Sequence, residues 1–286
     1  MTRPQVTAPH ATPVTSTDGV TVVAHDHGGS GPALVFCHAT GFHGRYWDPI
    51  CALLADSYRC IAIDLRGHGD SVIPEGLDLA WTGMAQDVLA VLDHFELPTV
   101  HAVGHSMGGC SIILAELLRP GTIIDGWLFE PIVIPSDPEL YPLEGGNALA
   151  DSARRRREIF ESRDAVFDRY STRPPFQDVD PDALRAYIDG GFRDQDDGTV
   201  ILKCRGEIEA QVFEHSRTDT YDHLGEVQAR LTIAGSGDGD GPAGMAPSVA
   251  ERLPNATFEY FGDLTHFAPL EDPERIAQAI RVALTA

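Results

Sequence analysis

Short apolar runs separated by helical patterns most strongly constrain how this chain can fold. Apolar residues fill most positions of Ala33–Cys37, Cys60–Ile63 and Val100–Val103, and Gly or Asp follows soon after each run. Runs this short and this apolar are typical of strands that are buried on both faces, as in a parallel sheet covered by helices. The sequence therefore favours a layered fold over a bundle or an open antiparallel sheet.

A helical pattern separates the second apolar run from the third. Met84, Val88 and Leu92 recur on one face of a helix, and Pro98 marks its end. Further strand-like runs at 122–129, 231–234 and 258–261 are followed by turns or helical patterns. This alternation predicts an α/β fold with a mostly parallel sheet flanked by helices. Before it, the Pro/Thr-rich stretch to about Thr17 is expected to be loose.

The pattern changes over residues 135–226. Helical patterns occur at 181–188 and 207–215, and only Val200–Leu202 resembles a buried strand. We therefore predict a helical lid (cap) over 135–226, inserted into an α/β core formed by 1–134 and 227–286. Aromatic residues of the lid are candidates for the roof of a pocket: Tyr141, Phe176, Tyr187, Phe192 and Phe213.

Charge and composition limit the classes of partner. The 286 residues include 21 Lys+Arg and 43 Asp+Glu, which gives a formal net charge of −22. Like charge repels phosphate backbones and anionic membranes, so we expect neither nucleic acid nor membrane as a partner, and anionic substrates are disfavoured at long range. No apolar run approaches the ~18 residues that a membrane helix needs. The 5 cysteines include no C-x-x-C pair, and the first twenty residues contain no secretory signal, so we expect a reduced, cytoplasmic location.

Gly104-His-Ser-Met-Gly is the strongest chemical signal in the chain. It lies between a strand-like run and a helical pattern, which is the context of a nucleophile elbow. Small residues on both sides of Ser106 permit a sharp turn, which holds the hydroxyl clear of the sheet at the positive end of the next helix. We therefore predict Ser106 as a nucleophile, which needs a base at neutral pH.

His266 is the predicted general base among the 12 histidines. It lies in the loop between the last strand and the last helix, at the carboxyl edge of the predicted sheet, where sites in such folds collect. His68 follows another strand in a glycine-containing loop. For His68 we expect hydrogen bonds to the backbone rather than catalysis.

The motifs together resemble the α/β-hydrolase superfamily over nearly the whole chain. The matching segments are His38-Ala-Thr-Gly-Phe, Asp64-Leu-Arg-Gly-His-Gly-Asp-Ser, the Ser106 motif and the loop around His266. More narrowly, the chain is similar to the lid-bearing branch that contains serine esterases, lactonases and carbon–carbon hydrolases. The family usually has glycine after the first histidine, whereas this sequence has Ala39.

The resemblance implies a catalytic acid that lies between the serine and the histidine in the chain. Asp238 follows a strand in a glycine-rich loop and resembles the commonest family arrangement, so it is the preferred candidate. Glu130 ends the preceding strand, where some family members carry the acid, and it is the alternative. A carboxylate at that strand end would be costly to bury unpaired, which favours a partner for Glu130.

The resemblance also implies an oxyanion hole formed by two backbone N–H groups, those of Met107 and Thr40. Phe42 and His43 are candidate substrate-pocket residues. The expected activity is hydrolysis of a small, largely apolar carboxylic ester or lactone through an acyl-enzyme, without a cofactor. The partner is then a small-molecule substrate, and nothing in the sequence indicates the oligomeric state.

Other interpretations of the same residues stay open. The triad would also serve a carbon–carbon bond hydrolase or an acyltransferase, and a non-catalytic ligand receptor can use this fold. No metal is expected, because the sequence contains neither H-E-x-x-H nor another clustered ligand spacing. The basic run 154–157 is interpreted as a solvated helix face, with Arg154–Glu158 and Arg157–Glu161 paired at i, i+4, in preference to an anion site.

Overall fold

A large sheet with helices on both faces forms the centre of the protein. The structure, a computed structural model, describes residues 8–135, 137, 139, 147–237 and 242–285. The strands are β1 (His10–Thr15), β2 (Thr21–Asp26), β3 (Ala33–Cys37), β4 (Arg59–Asp64), β5 (Val100–His105), β6 (Ile123–Phe129), β7 (Ile159–Phe160), β8 (Phe192–Asp194), β9 (Val200–Leu202), β10 (Arg230–Ser236) and β11 (Ala256–Phe261). The helices are α1 (Asp48–Leu54), α2 (Trp81–His94), α3 (Met107–Leu118), α4 (Ala148–Arg154), α5 (Arg163–Tyr170), α6 (Pro181–Gly191), α7 (Gly206–Glu214), α8 (Thr220–His223), α9 (Ala246–Arg252), α10 (Ala268–Glu271) and α11 (Pro273–Thr285). Within the described ranges, no helix combines the length and the apolar character needed to cross a membrane.

The 8-stranded sheet has the order β1-β2-β4-β3-β5-β6-β10-β11. Neighbouring strands from β4 to β11 pair in parallel, whereas β2 pairs antiparallel with both β1 and β4. The predicted α/β class with a mostly parallel sheet is therefore confirmed. This order brings the carboxyl ends of β5, β6 and β10 side by side, which is where sites in parallel sheets form.

The N-terminal stretch is more ordered than its composition indicates. The sequence predicts a loose segment to about Thr17, but β1 pairs with β2 from His10–Asp26 to Thr15–Thr21. The expectation was wrong for residues 10–15, because β1 is an edge strand, where Pro13 can be accommodated although it has no N–H to donate.

Two apolar clusters fill the two sides of the sheet. On one side, Met84 and Val88 of α2 pack with Ile113 of α3, and all are fully buried. On the other side, Ile50 of α1 packs with Ile280 of α11. The near-continuous apolar runs of the sequence thus form strands that are covered on both faces.

The lid segment, which we define as residues 147–226, holds α4 to α8 and a second, 3-stranded sheet of order β7-β9-β8. The sequence predicts helices here, and α6 and α7 match the two helical patterns. Val200–Leu202, the one strand-like run noted here, is β9. Its partners β7 and β8 were not predicted, because strands of 2 or 3 residues are too short to show an alternating pattern. The predicted domain boundaries at 134/135 and 226/227 stay predictions.

A buried ion pair anchors the loop after β4 to α2. Arg66 donates from Nε and Nη2 to the two oxygens of Asp87 at 3.0 and 2.9 Å, and its backbone N–H donates to the same carboxylate at 3.0 Å. Both side chains are buried. A buried charge that loses its partner is strongly destabilising, because nothing else offsets its desolvation.

We expect Asp87→Ala to lower the free energy of unfolding by about 3 kcal/mol, since the buried Arg66 then keeps only its contacts with Asp18 and Thr17 near the surface. Urea unfolding followed by circular dichroism measures the change. The matched control is Asp93→Ala, which removes an exposed ion pair with Arg119 and should cost about 1 kcal/mol or less. Equal losses in the two variants would contradict the prediction.

Candidate active site

Ser106 lies on the sharp turn between β5 and α3. Its φ of +55° falls in the left-handed region, which non-glycine residues rarely adopt. A Cβ atom at Gly104 would lie 2.7 Å from Cα of Gly109, and one at Gly108 would lie 2.3 Å from the carbonyl oxygen of Cys37. Both distances are far below van der Waals contact, so glycine is required on both sides of the serine. The strand–turn–helix context predicted for Ser106 is therefore present.

Glu130 and His266 meet at the carboxyl edge of the sheet. Glu130 follows β6 directly with a φ of +44°, and its backbone N–H donates to the carbonyl of Ala234 in β10 at 2.8 Å. Nδ1 of His266 lies 2.5 Å from Oε2 of the buried Glu130 carboxylate. Ser236 donates its N–H and its hydroxyl to Oε1 at 2.7 and 2.6 Å. Both carboxylate oxygens therefore have partners, as a buried charge requires.

The other candidate acid, Asp238, lies outside the described residues. Sequence reasoning missed Ser236 as a partner of the Glu130 carboxylate, because a serine at a strand end is common. Only the pairing of β6 with β10 brings it beside Glu130.

A second histidine, His105, packs against His266 with ring centroids 4.7 Å apart. Burial, together with the charge of His266, holds the pKa of His105 well below its usual range. Tyr46 places its hydroxyl 3.1 Å from Nδ1 of His105. The neutral His105 ring thus packs against one side of His266 and does not compete with it for a proton.

The loop after β3 contacts the turn that carries Ser106. The Thr40 hydroxyl donates to Sδ of Met107 at 3.4 Å, and Thr40 and Ser106 line the same cavity. The N–H of Met107 is the first of α3, and the first N–H groups of a helix have no intrahelical partner. The two predicted oxyanion donors therefore belong to segments in direct contact.

Two buried histidines fix the path of this loop. Nε2 of His38 accepts the N–H of Leu65 at 3.1 Å, and Nε2 of His68 accepts the N–H of Gly41 at 3.1 Å. Each ring nitrogen Nδ1 donates to a backbone carbonyl, that of Ala39 for His38 and that of Arg66 for His68. The backbone role predicted for His68 agrees with this geometry.

Both rings must be neutral to accept these hydrogen bonds. Burial lowers the pKa of His68 from 6.5 to about 4, although the hydrogen bond to Arg66 and the charge of Asp64 favour protonation. Burial and the neighbouring His68 likewise hold the pKa of His38 well below its usual range. Protonation of Nε2 would turn the acceptor for Gly41 into a donor and would break this contact.

Because the folded pKa of His68 is lower than its unfolded value, the unfolded chain binds more protons between pH 6.5 and about 4. The free energy of unfolding should therefore fall as pH decreases through this window. We expect His68→Gln, which keeps an acceptor for Gly41, to reduce that fall by up to about 3 kcal/mol. Urea unfolding at neutral pH and near pH 4 measures the free energy of unfolding of both proteins.

The matched control is His223→Gln. His223 is exposed, and the Glu226 carboxylate raises its pKa, so its contribution to stability has the opposite sign and is lost as pH rises. If His223→Gln reduced the fall in the free energy of unfolding between neutral pH and pH 4 as much as His68→Gln does, the prediction would be contradicted.

A cavity of about 1130 Å³ opens between the sheet edge and the lid segment, and Ser106 and His266 both line it. Its wall includes Phe42, whose ring centroid lies 5.0 Å from Tyr187 and 6.0 Å from Phe267. This position agrees with the prediction of Phe42 as a pocket residue. Among the described residues, no group of three His, Cys, Asp or Glu side chains is arranged to hold a metal ion.

The predicted roof aromatics separate into three groups. Phe176, Tyr187 and Phe213 line the cavity. Phe192 is buried within the lid segment against Phe160, 5.8 Å between centroids. The remaining candidate, Tyr141, lies outside the described residues.

His43 is not among the described residues that line the cavity, and the predicted polar pocket contact stays a prediction. Its ring is buried, Nε2 donates to the carbonyl of Tyr187 at 2.8 Å, and burial lowers its pKa to about 4. His43 thus links the loop after β3 to α6. The sequence could not show this, because it does not reveal on which side of the loop a side chain packs.

A lid ion pair lies directly on the loop after β3. Nη1 of Arg156 is 2.5 Å from Oε2 of Glu209, and Nη2 donates to the Tyr187 hydroxyl at 3.2 Å. Gly41 has a φ of +79°, and a Cβ atom there would lie 2.3 Å from Oε1 of Glu209. This contact could not be predicted from the sequence, since α7 approaches the loop only in the tertiary structure.

The basic run pairs differently from the predicted i, i+4 pattern. Arg157 does donate to Glu161 at 2.9 Å. Arg154 instead donates to Glu207 and Glu214 of α7, at 2.9 and 2.7 Å. The Arg154–Glu158 pair was wrongly predicted because α4 ends at Arg154, which breaks the helical spacing.

Known proteins share both the sequence pattern and the fold. An Alpha/beta hydrolase family model matches residues 34–279. The chain is 26% identical over 262 residues to a putative non-heme bromoperoxidase, BpoC, of Mycobacterium tuberculosis, covering 90% of this chain and 95% of the relative. It is 28% identical over 144 residues to 3-oxoadipate enol-lactonase 1 of Acinetobacter baylyi, covering 50% of this chain and 52% of that protein.

The fold is similar to that of E-2-(acetamidomethylene)succinate hydrolase, with a TM-score of 0.78 and 22% identity over 97% of this chain and 100% of the other. At that identity the likeness concerns the fold alone. Since the family model spans most of the sequence, the chain belongs to the alpha/beta hydrolase family.

Proposed function

We propose that this member of the family is a serine hydrolase that cleaves a carboxylic ester or lactone through an acyl-enzyme. Ser106 is the nucleophile, His266 the general base and Glu130 the acid. The observation that carries the proposal is the 2.5 Å hydrogen bond between Glu130 and His266, in a cavity that the strained Ser106 also lines.

The chemistry follows the serine–histidine–acid scheme. Nδ1 of His266 donates to Glu130, so Nε2 is the nitrogen that takes the proton of the Ser106 hydroxyl as it attacks the carbonyl. The N–H groups of Met107 and Thr40 stabilise the oxyanion, and each such donor contributes about 2.7–4 kcal/mol of transition-state stabilisation. His266 returns the proton to the leaving alkoxide, then activates the water that releases the acid.

Glu130 replaces Asp238 as the preferred acid in this proposal. Three hydrogen bonds saturate its carboxylate, and its backbone is tied to β10. A carboxylate held at the end of a strand is positioned more rigidly than one in a loop rich in glycine. Asp238 was preferred from the sequence because it follows a strand in a glycine-rich loop, as the acid most often does in the family.

The similar proteins agree with hydrolytic activity on a small molecule, since one is named as an enol-lactonase and another as a hydrolase of a succinate derivative. We also propose a reduced, cytoplasmic setting, because all the cysteines are buried free thiols: Cys37, Cys51, Cys60, Cys110 and Cys204.

A fluorophosphonate probe tests the nucleophile. We expect one adduct per chain by intact mass, its absence in Ser106→Ala, and loss of nitrophenyl ester turnover in that variant. Ser152 also lines the cavity but is exposed on the lid, so Ser152→Ala is the control and should label normally. An adduct that persists in Ser106→Ala would remove Ser106 from the mechanism.

Amide substitutions separate the two candidate acids. We expect Glu130→Gln to lower kcat by about 10³–10⁴-fold, because the amide no longer stabilises the imidazolium or fixes its tautomer. Asp238→Asn is the matched control and should keep near-normal turnover. A collapse in Asp238→Asn with normal turnover in Glu130→Gln would return the role to Asp238.

A further inference from the structure

The lid side of the cavity is strongly basic. Its lining includes Arg155, Arg156, Arg157, Arg169 and Arg173. Among the described residues that line it, Glu209 is the one carboxylate, and it pairs with Arg156. This contrasts with the net charge of −22 for the whole chain.

Arg155, Arg169 and Arg173 have no carboxylate partner within the described residues. Arg157 does pair, with Glu161 at 2.9 Å. Several other arginines of the lid segment are paired with acids: Arg154 with Glu207 and Glu214, Arg163 with Asp194, Arg185 with Asp164, and Arg205 with Glu158. Three guanidinium groups that have no carboxylate partner among the described residues therefore line the cavity, whereas Arg193, which also lacks one there, lies outside it.

An aromatic path joins these arginines to the reactive end of the cavity. Arg169 and Arg173 flank Tyr170, whose ring stacks on Phe176 with centroids 5.0 Å apart and an interplanar angle of 4°. Phe176 lies 5.4 Å from Phe267, the residue after His266. Tyr170, Phe176 and Phe267 therefore form a continuous aromatic wall in the cavity that Ser106 and the arginines also line.

We propose that the substrate carries a carboxylate, which Arg155, Arg169 and Arg173 bind while the ester or lactone carbonyl lies at Ser106. This inference rests on the proposed function for the position of the carbonyl. The planar guanidinium fork matches a carboxylate through paired N–H donors, and the aromatic wall contacts the apolar chain between the two groups. The expectation of a largely apolar substrate then applies only to that middle part.

Two esters that differ in one charge provide the kinetic test: mono-4-nitrophenyl adipate and its methyl ester, methyl 4-nitrophenyl adipate. We expect the free carboxylate to raise kcat/KM about tenfold, mainly through KM, since several exposed charge pairs each contribute modestly. In the triple variant Arg155→Gln, Arg169→Gln, Arg173→Gln, kcat/KM for the free carboxylate should fall to the value for the methyl ester, so that the preference disappears.

Arg193→Gln is the matched control, because Arg193 is exposed, also lies on the lid segment and does not line the cavity. It should keep the preference for the free carboxylate. Equal kcat/KM for the two esters in the natural protein, or a preference that survives the triple substitution, would overturn the inference and leave the proposed hydrolase intact.

Binding tests the site without turnover. We expect adipate to bind Ser106→Ala in calorimetry, to lose about tenfold in affinity when the three arginines are also replaced, and to bind more tightly than inorganic phosphate. Tighter phosphate binding, or adipate binding that is indifferent to the arginines, would overturn the carboxylate assignment. If neither ester is cleaved, the proposed function fails, and this measurement still decides whether the arginines bind a carboxylate.

Discussion

The buried carboxylate of Glu130 is the constraint on which the rest of the site depends. A charge removed from water must be compensated locally, and here His266 and Ser236 make three hydrogen bonds to its two oxygens. These partners come from segments far apart in the chain, and only the order β5-β6-β10 brings them together. Ser106 and Glu130 follow neighbouring strands, and both have positive φ. Backbone strain at two adjacent strand ends is sustained because the parallel sheet fixes both ends.

The loop after β3 depends on a second set of buried polar contacts. Asp64 accepts the N–H groups of Gly44 and Asp70 at 2.6 and 2.8 Å, and Nε2 of His25 lies 2.9 Å from it. Burial alone would raise the pKa of Asp64, but the contact with His25 and the other hydrogen bonds hold it below its ordinary value. Together with the neutral His38 and His68, this charge sets where the backbone N–H groups of the loop point. Precise placement of donors is what oxyanion stabilisation requires.

Local signals in the sequence account for much of this architecture, and tertiary contacts account for the rest. The turn around Ser106 was predictable because its glycines lie within two residues of the serine, and the strand runs were predictable because burial on both faces leaves them apolar. The choice between Glu130 and Asp238 was not, since it depends on Ser236 and on the backbone bond to Ala234. The contact of Glu209 with the Gly41 loop was equally hidden, because it joins residues more than a hundred positions apart.

Net charge and site charge follow different rules in this protein. The repulsion that the net charge of −22 exerts on an approaching anion is screened by salt, because the Debye length is about 8 Å at physiological ionic strength. Within the cavity, Arg155, Arg169 and Arg173 act over shorter distances and beside aromatic walls that weaken the screening. A carboxylate-bearing ligand is therefore only weakly repelled on approach and is attracted once it enters. The negative charge of the whole chain thus disfavours polyanions, which contact a wide surface, more than a small anion that contacts only the site.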